Sequence, residues 1–447
     1  MPLFFADLHL HSKYSRAVSP QMDLEHLQEG GRKKGLQILG TGDFSHPKWL
    51  AELKYKLKEA ECKKGLFELK DPSRKGVYFI LQNEVATIIS TPKGVKKVHH
   101  VLLAPDFEIV EQLNDRLSKM GALASDGRPI FGSTSPAMLV EICKQVSKEI
   151  EIIPAHIWTP WFSIFGSNSG FNSIEEGYEE QAKHIFALET GMSSDPIMNW
   201  RLSQLDKYAL VSNSDSHSPH PYRIGRECNA FEFEERELNF ENLINAIKQK
   251  DGKHFKFTVE VDPNYGKYHY DGHRNCNFSC NPKETLKLKG ICPKCKGKLT
   301  IGVLSRVEEL ADREDGFKPK DAIPYKSLLP LQDLVASCFS SPAMSRKVYA
   351  ETERLMSVFK SEFNLLLEAD EPTLRKEMHE KLAAAIIANR EGKLVVKAGY
   401  DGNYGELQLP SNMVLEENKK INGAEGNPKQ PYSGKKQPDQ KSIADYF

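Results

Sequence analysis

Along the first 250 residues, short apolar runs alternate with longer stretches in which apolar positions return every three or four residues. The runs at 3–9, 36–42, 77–83, 98–104, 151–156, 185–190 and 209–214 have the length of strands. The stretches at 23–34, 106–120, 136–148 and 197–206 lie between them, and 239–250 follows the last run. The first kind of pattern reads as strand and the second as amphipathic helix. Their repeated alternation predicts an α/β fold with a parallel sheet, either open or closed into a barrel.

The position of the polar chemistry decides between the two. His9 and His11, Asp43, Glu84, His99, His156, Glu189, and Asp215 with His217 stand at or near the C-terminal end of nearly every run. His99 is the exception, near the start of 98–104. A β/α barrel gathers all its strand ends at one rim, whereas an open doubly wound sheet concentrates chemistry at a single switch point. A barrel over 1–258 is therefore expected. A compact cysteine-centred segment follows at 259–305, then a helix-rich DNA-binding region at 306–415 that ends in the glycine-punctuated loop Gly399-Tyr400-Asp401-Gly402-Asn403-Tyr404-Gly405. From 416 to 447 the composition turns to Lys, Asn, Gly, Pro and Gln, which predicts a flexible tail.

Composition narrows the class. Sixty-one basic residues balance 61 acidic ones, so any nucleic-acid contact must come from local patches. No run of 18 apolar residues could span a membrane, and the first residues lack a basic leader, which predicts a cytoplasmic, nucleoid-associated protein. Four of the eight cysteines fall within 276–295, the pattern of a metal site in a reducing compartment.

Asp7, His9 and His11 occupy alternate positions and share one face of a strand, with Leu8 and Leu10 on the other. Asp215 and His217 repeat that spacing, and Asp43, His46, Glu84, His99, His100 and His156 stand between. A lone strand-end histidine is usually a packing residue. Half of the 14 histidines at such ends, with two such pairs among them, point instead to a multinuclear metal site. Mixed imidazole and carboxylate donors suit transition metals.

This series resembles the motifs of the PHP (polymerase and histidinol phosphatase) superfamily. The resemblance implies a distorted seven-stranded β/α barrel that hydrolyses phosphoesters with two or three divalent ions (Zn, Mn or Mg). It assigns His9, His11, Asp43, Glu84, His99, His156, Asp215 and His217 as ligands. Only one of the adjacent His99 and His100 can face the metals, and His99 is taken. Two positions depart from the family pattern. Asp43 is followed by Phe44, so Asp43 and His46 together are given the Asp-His role. No acid lies within 12–20, and Asp195 is the candidate that compensates or supports the ligands from behind.

Cys276-x3-Cys280 and Cys292-x2-Cys295 have the spacing of a structural zinc site with four thiolates. Lys283, Lys287, Lys289, Lys294, Lys296 and Lys298 surround them and could form a phosphate-facing surface. At the C-terminus Gln440, Ile443, Tyr446 and Phe447 resemble the box by which partners bind the sliding clamp PCNA.

Taken over the full length, the chain resembles the endonuclease Q family. That likeness implies an archaeal-type repair enzyme that nicks DNA 5′ of deaminated bases (uracil, hypoxanthine, xanthine) and of abasic sites. Trp158, Trp161, Phe162, Phe165, Asn168 and Phe171 lie in one stretch after His156 that could wedge into a duplex and read an extruded base; Tyr400 and Tyr404 are further candidates. The rival readings are a small-molecule phosphatase of the histidinol-phosphate type and a non-catalytic, clamp-tethered DNA-binding scaffold.

Overall fold

Local signals fix where the first elements begin and end. The Asp23 carboxylate accepts from the His26 N–H to start the helix Leu24–Lys34, and Gly35, at φ 102°, takes the left-handed turn that stops it. Asp106, Ser135 and Asn239 cap Phe107–Leu117, Pro136–Val146 and Phe240–Lys248 in the same way. The computed structural model describes residues 1–415. The clamp-like box Gln440, Ile443, Tyr446 and Phe447, and the tail expected at 416–447, lie outside the described residues.

The fold is mixed α/β. The strand Leu3–Asp7 pairs in parallel with Ile38–Gly40, and that strand with Tyr78–Thr91. The next pairing is antiparallel, which corrects the wholly parallel sheet expected from the sequence. Tyr78–Thr91 turns back on Gly94–Ala104 through Pro92 and Lys93 alone. Two residues can close a hairpin, but a parallel return needs a crossover of a dozen or more. Gly94–Ala104 then pairs antiparallel with Glu151–Pro154. Ala187–Glu189 and Ala209–Val211 form a short parallel pair, tied to the preceding segment by the Ile157 N–H to Glu189 carbonyl bond of 3.0 Å. A parallel bridge joins Leu10 to Ser216.

The reversal accounts for the odd position of His99. Its strand runs against its neighbours, so the start of that strand lies level with their ends, and His99 sits opposite Ala86, two residues past Glu84.

Side chains alternate between two apolar clusters. Phe4, Ala6, Leu8, Ile80, Val101 and Ile153 fill one, and Phe5, Leu39, Phe79, Leu81, Leu102 and Ile152 the other. On its other flank Leu3–Asp7 meets Cys228–Glu232, which continues to Phe255–Glu260 and Tyr325–Ser327. The helix expected at 197–206 is instead one α turn, Pro196–Trp200, followed by a 3₁₀ turn at Ser203–Leu205.

Leu331–Cys338, Arg346–Phe359 and Glu380–Arg390 enclose a third cluster that includes Leu334, Leu355, Phe359, Leu382 and Ile386. Buried Lys34 reaches from the first helix to Glu362 at 2.7 Å, joining this helical region to the strands. Among the described residues no helix is long and apolar enough to cross a membrane.

Candidate metal centre

His9 and His11 continue the line of the first strand and are both buried. His11 Nε2 lies 3.0 Å from Asp215 Oδ1 and 3.3 Å from Glu84 Oε2. His9 Nε2 is 3.7 Å from each of the same two carboxylates. A second group adjoins the first: Glu84 Oε1 is 2.7 Å from His99 Nδ1 and 3.3 Å from His156 Nε2. The donor atoms of each group lie within 4.8 Å of one another, and Glu84 belongs to both.

These residues fit divalent ions. His9 Nε2 is buried with no hydrogen-bond partner, yet it is aimed at two carboxylates. An orphaned buried nitrogen costs about 1–3 kcal/mol, which an ion between it and those carboxylates would relieve. Electrostatics agree. Burial works against charge on His9, but Glu189, Glu84 and Asp215 outweigh it and push the imidazole well above its ordinary range. A pocket with that much uncompensated negative charge favours a cation. His99 and His217, by contrast, are pulled down to about 4 by burial, and so present neutral rings. The neutral ring is the form that ligates metal.

A supporting layer sets the ligand orientations. Both Glu189 oxygens lie 3.0 Å from His9 Nδ1, and one also accepts from the His156 N–H at 2.8 Å. Asn213 in turn donates to Glu189 at 2.9 Å. A carboxylate behind a metal-ligating imidazole fixes its tautomer and raises its basicity. Asp43 plays the matching part for His11, with Oδ1 3.3 Å from Nδ1. Its other oxygen accepts from the Ser12 N–H and Oγ, both at 2.6 Å, and from Ser15 Oγ at 2.8 Å. Burial would raise the Asp43 carboxyl, but His11 and Ser12 hold it below the usual range. Asp43, His156 and Asp215 all have positive φ, at 46°, 30° and 46°. Strained backbone of this kind persists where the surroundings over-determine it, commonly at functional sites.

No sequence pattern pointed to Arg128. It lies in a loop, between elements, and its guanidinium reaches Glu84 Oε2 at 3.2 Å. Other expected residues stand apart from the two groups. His217 packs its ring on His11, centroids 4.6 Å apart, and its Nδ1 bonds the Asp215 carbonyl at 3.0 Å. His46 stacks on Tyr14 at 4.5 Å and precedes the helix Pro47–Lys56. Asp195 caps Pro196–Trp200 by accepting from the Met198 N–H at 2.9 Å, so the catalytic part expected of it has no geometric support. His100 turns away from the two groups to Thr87 and Tyr178.

The cysteine segment differs from the expected four thiolates. Cys276, Cys292 and Cys295 converge with His273, while Cys280 faces the Thr285 hydroxyl at 3.2 Å. Strand register is the reason. In the hairpin Asp271–His273/Phe278–Cys280, Cys280 pairs with Asp271 at the end away from the turn, whereas His273 is at the turn beside Cys276. His273-x2-Cys276 mirrors Cys292-x2-Cys295, a signal the cysteine count passed over.

The aromatic stretch is mostly core. Trp158, Phe162, Phe165 and Phe171 are buried, and Trp158 donates to Asn199 at 2.8 Å. Phe162 tilts against His99 with centroids 4.6 Å apart. Arg306 pins the stretch by donating to the Phe165 and Phe171 carbonyls, both at 3.0 Å. Only Trp161 and Asn168 of the named set remain exposed, so a wedge built from all six is ruled out by packing. Tyr400 is buried with its hydroxyl on Asn277 at 2.6 Å, while Tyr404 is exposed.

Paired histidine–carboxylate groups at the strand ends of a mixed α/β fold make a candidate divalent-metal centre. Among solved structures, the lesion-specific endonuclease PfuEndoQ of Pyrococcus furiosus is 33% identical, with a TM-score of 0.81, over 95% of this chain and 100% of that one. An endonuclease Q in complex with a 27-mer duplex carrying an abasic lesion at the active site is 33% identical, with a TM-score of 0.82, over 94% of this chain and 100% of that one. The chain belongs to the endonuclease Q family. An uncharacterized protein of Methanocaldococcus jannaschii is 34% identical over 262 residues, 58% of this chain; the match spans about a third of that relative, 32% of its length. YqxK of Bacillus subtilis, also uncharacterized, is 28% identical over 425 residues, 91% of this chain and 100% of that protein. No family profile matches the chain.

Proposed function

We propose that the chain is a metal-dependent DNA endonuclease of repair, which nicks the phosphodiester 5′ of deaminated bases (uracil, hypoxanthine or xanthine) and of abasic sites. The observation that carries this reading is the pair of ligand groups sharing Glu84, in a chain that aligns over 95% of its length with a lesion-specific endonuclease. The likeness to a duplex complex with an abasic lesion supports DNA as the substrate. In this reading seven of the strand segments between Leu3–Asp7 and Ala209–Val211 make up a distorted barrel over 1–258. A zinc segment follows at 259–305, a helical DNA-binding region at 306–415, and a tail over 416–447 that binds a sliding clamp through Gln440, Ile443, Tyr446 and Phe447.

His9, His11, Glu84 and Asp215 would hold one ion and Glu84, His99 and His156 another, with His217 and Asp43 beside them. Bound there, such ions orient the phosphate, activate water and neutralise charge on the leaving oxygen. The chain's own residues do the rest. Glu189 and Asp43 hold the His9 and His11 rings in place, and Arg128 keeps a fixed positive charge beside Glu84, where phosphate charge accumulates. His273, Cys276, Cys292 and Cys295 would hold a structural zinc.

The test is a nicking assay on labelled duplexes with a single uracil, hypoxanthine or abasic site, against an undamaged control. The expected result is a cut 5′ of the lesion that disappears with chelator and in His9→Ala. If the metal-loaded protein leaves all three lesions intact and instead releases phosphate from a small monoester, the repair reading is overturned.

A further inference from the structure

The loop Gly399–Gly405 is built to present one side chain. Gly399 and Gly405 press on the Asn264 segment so closely that a Cβ at either would lie under 3.0 Å from its backbone. The Gly405 N–H bonds the Tyr265 carbonyl at 3.0 Å and the Gly399 N–H the Asn264 carbonyl at 2.8 Å. Asp401 and Gly402 turn the chain at φ 44° and 89°. Tyr400 is thereby buried, and Tyr404 is left 37% exposed on a fixed support.

Cations surround the Tyr404 ring. Lys267 Nζ lies 4.7 Å from its centroid and the Arg223 guanidinium 5.8 Å, while Arg223 also lies over Tyr222 at 4.7 Å. Burial alone would raise the Tyr404 phenol, yet Arg226, Lys267 and Arg223 bring it down to about 8. Among the described residues none of these three cations forms an ion pair with a carboxylate, although Arg201, Arg313, Arg354 and Arg375 all do. The neighbouring Asp333 carboxylate is engaged by the Tyr265 hydroxyl at 2.7 Å. Arg226 connects the patch to the metal centre: its guanidinium donates to the Ser214 carbonyl at 3.3 and 3.1 Å, one residue before Asp215. Clustered cations without carboxylate partners, around an upright phenol and beside a phosphodiesterase centre, suit an anion with several oxygens.

We propose that Arg223, Lys267 and Tyr404 hold a backbone phosphate of the DNA strand being cut, next to the scissile one. This rests on the DNA-endonuclease reading above and adds the contact that sets strand register. Phosphate contacts of this kind position a duplex without reading its sequence, and each makes binding more sensitive to salt.

The test compares Arg223→Ala/Lys267→Ala and Tyr404→Phe with the parent protein. Nicking of an abasic-site duplex is followed in the wild-type background. Binding of the same duplex is followed by fluorescence anisotropy in the His9→Ala background, where it stays uncut, between about 50 and 200 mM salt. For the double variant we expect at least about a tenfold weaker KM and Kd, a log–log salt slope shallower by about one to two, and kcat within about twofold. Tyr404→Phe should weaken binding less, with the slope kept. An unchanged salt slope in the double variant, or a fall in kcat with KM intact, overturns the proposal. If the wild type nicks no DNA at all, the endonuclease reading falls, while the anisotropy arm still decides whether the patch binds a phosphate.

Discussion

The two candidate metal-ligating sets of this chain are built on opposite plans. The strand-end centre draws its six donors from residues spread between His9 and Asp215, buries four of them and half-buries Asp215 and His156, and sets a further polar group behind the two imidazoles that open the chain. The cysteine segment draws its donors from His273 to Cys295, leaves Cys295 exposed, and rests on a small cluster of Cys280, Cys292 and Leu299. A centre that packing already holds can use its ions as reagents. A short segment with so little apolar support would rely on a bound ion for its shape.

The largest effect that could break this contrast is on chemistry. His9→Ala should lower nicking by roughly a thousandfold, the loss of several kcal/mol of ion-mediated stabilisation, with the circular dichroism of the fold and the zinc of the cysteine segment retained. Unfolding of the whole chain in His9→Ala would show that the strand-end ions are structural after all. Next in size is Glu189→Gln, for which metal affinity or nicking should fall about 10- to 100-fold as the His9 ring loses its orienting partner. Wild-type affinity in a metal titration would show that packing alone orients His9.

For the cysteine segment the expected readout is order. Cys295→Ser and His273→Ala should each release its zinc and open 271–300 to protease, with strand-end metal unchanged. Cys280→Ser should keep the zinc, whereas zinc lost in Cys280→Ser but kept in His273→Ala would restore the four-thiolate set. The smallest effect concerns Glu227 and Glu260. Burial pushes both carboxyls up, the charge of Glu260 adds to the shift of Glu227, and that of Asp195 to the shift of Glu260. A raised folded value contributes stability that is whole below the unfolded carboxyl range and is lost as pH rises through the folded value. Glu260→Gln should therefore gain thermal stability over wild type as pH climbs from about 5 to 9, by on the order of 1 kcal/mol. A parallel decline of the two proteins would show that Glu260 stays charged throughout.

Much of the strand-end centre was legible because its donors are polar residues where apolar runs stop, and a period of two puts His9 and His11 on one face. Helix starts were legible through Asp23, Asp106, Ser135 and Asn239, whose side chains cap them. Strand direction was not, because periodicity carries no sign. Only the short Pro92-Lys93-Gly94 turn told of the antiparallel return that brings His99 level with Glu84. Arg128 and the orienting part of Glu189 depend on distant packing and left no local trace. The aromatic stretch misled for a related reason: composition shows that Trp158, Phe165 and Phe171 are large, but only tertiary contacts with Asn199 and Arg306 show that they face inward.

A ribosome delivers this chain from its N-terminus, and the hairpin of Tyr78–Thr91 with Gly94–Ala104 is the first part of the centre able to close on itself. It sets His99 beside Glu84. His9 and His11 have emerged by then, but the carboxylate that completes their group is Asp215, held in place by the bridge from Ser216 to Leu10. A nascent chain halted short of that point carries imidazoles without their full set of carboxylates. The set of His9, His11, Glu84 and Asp215 is complete only once residue 215 has been made, so a product truncated before it lacks one of the four donors.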